Sequence, residues 1–466
     1  MRPSPVAWLA ALAAAPLSLA PAAMAAGELN QPGMIATTDF EYGDYYGAAD
    51  GSPSDAIPPA PLPSATIQAS SPAPNAFAAV GATPCCDLCE TDCADACGGD
   101  VCCGSSCGGG GFSFCPFHCN LGEPFAVSSL VLNECSPWFF GGWTQAGIHT
   151  ENTRFSVEDN DALAFNDHPG RINLHQQWLY FGKNADGSDG LDWGFRADIM
   201  YGTDAVKTQA FGGNPGTWDY QNGWDRGGGY GGALPQLYGE LACGDWSVKM
   251  GHFFTLVGYE VVAAPDNFFY SHAFTMFNSE PFTHTGALAT YSGFENVEFY
   301  GGWVAGWDTG FTQNQGGSMW LGGASVGVTD NVNLTYINYI GNFGAKSAGE
   351  TGYGHSVVAN CTISDRLNYV FQSDYVDAGD VTGFDSIGVN QYLFYSFNDC
   401  LAAGARMEWY KLDGTSYQGL TYGLNYKCHS NIIVRPELRH NWTNENDADL
   451  ADFNQTVFGV DAIFTY

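Results

Sequence analysis

Basic and acidic side chains stand two residues apart at Arg196/Asp198, at Arg406/Glu408 and in the set Arg435/Glu437/Arg439. That spacing puts the members of each set on one face of a β-strand. Three more carboxylates, Glu260, Asp266 and Glu280, fall in a stretch of 30 residues, 255–284. Gly258, Pro265 and Pro281 break its backbone, and Phe268, Phe269, Tyr270, Phe274 and Phe277 give it an apolar stripe able to pack on a wall. Loop carboxylates opposite wall arginines would set up a transverse field in a narrow wet channel, and such charges tune ion selectivity. The plainer alternative is that Arg and Glu neighbours on one strand merely neutralise each other. His252, His272 and His284 flank or lie in the same stretch, but their spacing is not diagnostic, and no metal or other cofactor is expected. With 49 acidic residues some pair will always resemble glycosidase carboxylates. No Gly-x-Ser-x-Gly, His-Glu-x-x-His or phosphate-loop motif is present, so no catalytic residue and no enzymatic activity are expected.

Composition narrows what could hold these groups. The 466 residues include 15 Lys or Arg against 49 Asp or Glu, a net charge of −34. A nucleic-acid partner is excluded, because it requires basic residues to neutralise phosphates. Charged residues are only 14 % of the chain, whereas Gly (60) and Phe, Tyr and Trp (15 %) are abundant. So many aromatics argue against a disordered acidic chain, and so many glycines against a helical enzyme. A β-rich secreted or envelope protein remains.

The N-terminus reads as a signal peptide over 1–25: Arg2, an apolar run from Val6 to Ala20, then Ala23-Met24-Ala25. Residues 26–84 form a disordered Pro/Ala/Ser-rich linker that cannot build a core. Eleven of the 15 cysteines lie in a Cys/Gly-rich segment, 85–135. An exported chain meets oxidising conditions, so disulfides, within or between chains, are preferred over a thiolate metal site.

From 136 to 466 the texture is uniform: short segments of period two, punctuated by Gly, Asn and Asp. In 191–201, Leu191, Trp193, Phe195, Ala197, Ile199 and Tyr201 oppose Asp192, Arg196 and Asp198. In 297–308, Phe299, Trp303 and Trp307 share the apolar face; at the end, Phe458, Val460, Ala462, Phe464 and Tyr466 oppose Asp461. No later stretch is the 18–20 apolar residues of a membrane helix, so a membrane-spanning form must be a barrel. About sixteen segments can be counted, and the connections alternate short and long. An antiparallel transmembrane β-barrel does this, with tight turns on the periplasmic side and long loops outside. An even count puts both chain ends on the periplasmic side. The stretch 255–284 is then the third outer loop, inserted into the barrel. Segment 386–397, apolar on both faces, and Pro436, which removes a ladder donor, fit less well. Cys243, Cys361, Cys400 and Cys428 fall at the periplasmic ends. Cys400 and Cys428 are symmetric about Gly414, so a simple hairpin register pairs them, with a disulfide as the option.

The segment from Gly251-His252-Phe253-Phe254 through Ala264-Pro265-Asp266-Asn267-Phe268-Phe269-Tyr270-Ser271-His272, continuing as Glu280-Pro281-Phe282-Thr283-His284-Thr285-Gly286, resembles the OmpL-like β-barrel porins. Tyr201-Gly202-Thr203-Asp204-Ala205 and Leu234-Pro235-Gln236-Leu237-Tyr238 also match. The resemblance covers roughly 135–466. It implies an outer-membrane barrel and passive transport, and carries no functional residues over. The terminal Phe464-Thr465-Tyr466 resembles the strand signal that barrel-assembly machinery recognises. The expected partners are outer-membrane lipid, that machinery, Cys-mediated crosslinks and, by analogy with other sixteen-strand porins, a homotrimer. The leading expectation is a porin-like channel for small hydrophilic solutes that prefers cations. The alternative, from a different class, is a structural envelope protein crosslinked or anchored through its Cys-rich segment.

Overall fold

In a computed structural model the described residues are 119, 121–133, 136–150, 165–166, 168–210, 216–226, 229–379, 385–443 and 454–466. The expected signal peptide, the linker and most of the Cys-rich segment, with all of its cysteines but Cys119, lie outside them.

Alternating side chains give one apolar and one polar face per segment, and a sheet of such segments can bury its polar face only by closing. Sixteen antiparallel strands do so: β1 (Trp138–His149), β2 (Asn173–Lys183), β3 (Asp192–Gly202), β4 (Gly231–Cys243), β5 (Trp246–Phe254), β6 (Thr283–Phe294), β7 (Val297–Val304), β8 (Ser318–Thr329), β9 (Val332–Asn342), β10 (Thr351–Ser364), β11 (Leu367–Asp377), β12 (Ser386–Asn398), β13 (Leu401–Leu412), β14 (Thr415–His429), β15 (Ile432–Thr443) and β16 (Gln455–Thr465). Each pairs with its neighbours in sequence, and β1 pairs with β16 from Trp143↔Thr465 to His149↔Gly459, leaving no edge. Two short helices, α1 (Thr203–Thr208) and α2 (Phe274–Ser279), lie in the long connections after β3 and β5.

The apolar faces point outward. Trp193, Phe299, Trp303, Leu393, Phe458 and Phe464 are exposed on the outer surface, while Asp198, Arg406, Arg435 and Asp461 are buried on the inner side. This is the reverse of a soluble β-sandwich and the arrangement of a transmembrane barrel. Segment 386–397 is apolar on both faces because each face has a partner: Leu393 and Tyr395 face out, while Tyr392 and Phe394 face in and receive rings from the inserted loop. The β14–β15 ladder passes over Arg435 and Pro436, which accommodates the missing donor.

Two expectations fail. Trp307 does not belong to the outer apolar face. Strand β7 ends at Val304, Gly306 adopts φ +115°, and the reversed alternation turns Trp307 inward against Tyr339 and Phe343. Nor do Cys400 and Cys428 pair. The β13–β14 hairpin turns on Asp413-Gly414, both at positive φ, the signature of a two-residue turn. Leu412 then pairs with Thr415 and Leu401 with Tyr426, while Lys427 N–H donates to the Cys400 carbonyl. One residue of register separates this from symmetry about Gly414, enough to put Cys428 on the other face. Cys400 is instead disulfide-bonded to Cys119 (Cα–Cα 5.6 Å), and Cys428 has no disulfide partner among the described residues.

Candidate functional site: the inserted loop and the inner wall

The connection between β5 and β6 turns into the barrel. Its aromatic stripe is fully used: Phe268, Phe269, Tyr270, Phe274 and Phe277 are all buried. The wall receives these rings on glycines. A Cβ on Gly404 of β13 would come within 2.5 Å of the Phe268 ring, so no other residue leaves the ring its slot. Gly423 and Gly459 offer similar slots to Phe269 and Tyr270.

Between the slots run ion pairs; eight of the ten expected site residues are buried, six of them here. Arg406 binds Glu260 of the loop (Nη1–Oε1 2.7 Å) and Glu408 of its own strand (Nε–Oε1 2.7 Å), and also donates to the Ser271 carbonyl at 2.7 Å. Arg435 grips Asp461 of β16 with Nε at 3.0 Å and Nη2 at 2.5 Å, while its Nη1 donates to the carbonyls of Ala264 and Asn267. Arg439 donates to the His272 carbonyl and lies 3.5 Å from Glu408. The carboxylates hold the loop's N–H groups: Glu437 accepts from Tyr270 and Ser271, Glu408 from Phe274, and Glu260 from Ala273. Burial alone would raise the Glu260 carboxyl; the Arg406 guanidinium, followed by His272 and the Ala273 N–H, outweighs it and holds the group below the usual carboxylate range. Glu280, at the end of α2, accepts from Gln372 of β11 and rests against Gly258, whose φ is +90°. The eighth, Asp198, accepts from Arg196, Trp178 and Gln236.

On the β13–β16 side, then, direct contact replaces the expected water gap between loop carboxylates and wall arginines. The remaining two expected residues differ. Asp266 is exposed on the loop, and the Arg196 side chain retains 27 % of its accessible surface. Arg196 lies over the Tyr180 ring (5.2 Å to the centroid), and Asp266 is in electrostatic range of both. Beside them Lys249 of β5 lies over the Tyr238 ring at 5.1 Å, half-buried. The sequence reading missed Lys249, Asp461 and Gln372. Asp461 stood on the polar face of the last segment and Gln372 at inward parity on β11, but alternation gives only a face, not a partner.

The three histidines serve packing. His252 contacts the Thr285 hydroxyl; His284 bridges the Thr255 hydroxyl and the Gly306 carbonyl; His272 lies 3.5 Å from Glu260. Among the described residues no group of three or more His, Cys, Asp or Glu side chains could hold a metal.

At the short-turn end, the chain ahead of β1 is pinned to the barrel. Beyond the Cys119–Cys400 disulfide, Ser430 binds the backbone of Leu121 and Gly122, and Asn431 exchanges two hydrogen bonds with Phe125 while donating to the Thr465 carbonyl.

A closed sixteen-strand barrel, apolar outside, polar inside and narrowed by its third long loop, has the architecture of a porin-type barrel. Residues 138–466 match the family model described as "Putative beta-barrel porin-2, OmpL-like", and the chain belongs to that family. Family and fold are those of the bacterial outer membrane. No protein of curated function matches the sequence. Similar solved structures include the outer-membrane channel DcaP of Acinetobacter baumannii (11 % identity, TM-score 0.48, covering 71 % of this chain and 97 % of that one). An anion-selective porin from Comamonas acidovorans gives 10 %, 0.47, 71 % and 99 %. The trimer form of OmpT from Vibrio cholerae gives 10 %, 0.43, 71 % and 99 %.

Proposed function

We propose that the protein is exported by its signal peptide and forms an outer-membrane pore for passive diffusion of small hydrophilic solutes, with a preference for cations. The observation that carries this is the asymmetry of the lumen. The inserted loop is bonded to the β13–β16 wall, whereas Asp266 and Arg196 on the other side keep water access. The surplus of 49 acidic over 15 basic residues favours cation entry. Lipid contact along the outer apolar belt, recognition of the last strand by assembly machinery, and a homotrimer belong to the same reading. Purified protein in a planar bilayer under a salt gradient tests it: steps of conductance with a cation-selective reversal potential are expected. A folded barrel without conductance removes the channel, and an anion-selective potential removes the cation preference.

The Cys119–Cys400 disulfide favours a second role beside the first. It ties the Cys-rich segment, already continuous with β1, to a second point on the barrel at what this reading takes as the periplasmic end, and so suits it to anchor the barrel in the envelope. Deleting 85–115 and assaying conductance and envelope attachment separates the roles. An anchor loses attachment and keeps conductance.

A further inference from the structure

We propose that Lys249 and Asp266 together set the ion selectivity of this pore, and that the arginines of the β13–β16 wall do not. The inference rests on the channel reading above and names the residues that act within it.

A fixed charge acts on a passing ion only if water reaches it and no partner already neutralises it. Arg406, Arg435 and Arg439 fail on both counts: each is at most 3 % exposed and is spent on carboxylates and loop carbonyls. Arg196 is reached by water, but Asp198 holds it at two points, Nε–Oδ1 2.7 Å and Nη2–Oδ2 2.9 Å, and cancels most of its field.

Lys249 is different. Its register partners are Glu240 on β4 and Leu288 on β6, and Leu288 is buried on the inner side, so the lysine points inward. Its ammonium lies over the Tyr238 ring, a contact that orients the group and leaves its charge intact. Among the described residues no carboxylate lies within ion-pair distance of it. Asp266 is its counterpart on the loop, exposed and without an ion pair among the described residues. The wall groups are neighbours: Arg196 lies over the Tyr180 ring and is the register partner of Tyr238 across β3 and β4, and Tyr238 carries Lys249; Asp266 faces this group from the loop, within electrostatic range of Arg196 and Tyr180. The open side of the lumen thus presents one unpaired cation on the wall and one unpaired anion on the loop. A permeating cation is drawn to Asp266 and repelled by Lys249, and an anion the reverse.

Reversal potentials of single channels under a salt gradient test this, with folding checked by heat-modifiable gel mobility. Lys249→Met keeps the aliphatic stem on Tyr238 and removes the charge. It should raise the cation-to-anion permeability ratio by about twofold or more, and Lys249→Glu should raise it further. Asp266→Asn should lower the ratio, and the double variant should return it toward wild type. Arg196→Gln should move it less than Lys249→Met. Conducting Lys249→Met and Asp266→Asn channels with the wild-type ratio would overturn the assignment and leave the channel reading standing. A folded wild-type barrel that passes no current would overturn both.

Discussion

The two sides of the lumen use the same residue types for opposite purposes. On β13–β16, Arg406, Arg435 and Arg439 are buried and bonded to the inserted loop; on β3–β5, Arg196 and Lys249 lie over tyrosine rings with water access. What separates them is the loop. Where it docks, charges become fasteners, since a buried charge must find a partner. Where it does not, they keep water access, and only the charge of Arg196 is matched, by Asp198 on its own strand. Charge on an inner barrel face therefore says nothing of its role until the loop's position is known.

The largest effect is expected on the docked side. Arg406→Met leaves Glu260 and Glu408 buried without their main counter-ion and should cost about 3–5 kcal/mol; a shift in the urea midpoint of the detergent-solubilised barrel measures it. An unchanged midpoint would mean that these pairs do not hold the loop and that the two walls do not differ in this way. Gly404→Ala thrusts a methyl at the Phe268 ring, where about 1–3 kcal/mol of overpacking is expected, with conductance altered as the loop is displaced. Glu437→Gln keeps an acceptor for the Tyr270 and Ser271 N–H groups but loses charge assistance, so about 1–2 kcal/mol is expected. Acid should weaken the same wall. Glu260 is held below the ordinary range when docked, so its contribution is complete above the carboxyl's unfolded value and is lost as pH falls below it. A loop that became more resistant to protease on acidification would contradict this. On the open wall, Lys249→Met should change stability by no more than about 0.5 kcal/mol, so that a shift in selectivity appears without a shift in the urea midpoint.

The strands were legible because a membrane barrel obeys a local rule: each segment must show lipid one face and the lumen the other, and tight turns must alternate with long loops. Even the double-sided apolar segment 386–397 obeyed it, its inner rings having partners the sequence could not show. Trp307 escaped because one glycine with positive φ reverses parity, and local alternation cannot reveal where a strand stops. The Cys400–Cys428 expectation failed by a single residue, because the two-residue Asp413-Gly414 turn moves the hairpin axis off Gly414.

The candidate site was half legible. Residue types and faces could be read from period two, and the loop's aromatic stripe from its composition. Which arginine meets which carboxylate could not be read: Arg406 and Glu260 are 146 residues apart, and Cys119 and Cys400 are 281 apart. Local sequence settled the architecture of this protein, since strand faces and turn lengths depend on neighbours along the chain. Which charges are fastened and which stay free was decided only when the barrel closed and the loop folded into it, because pairing and burial depend on contacts between segments remote in sequence.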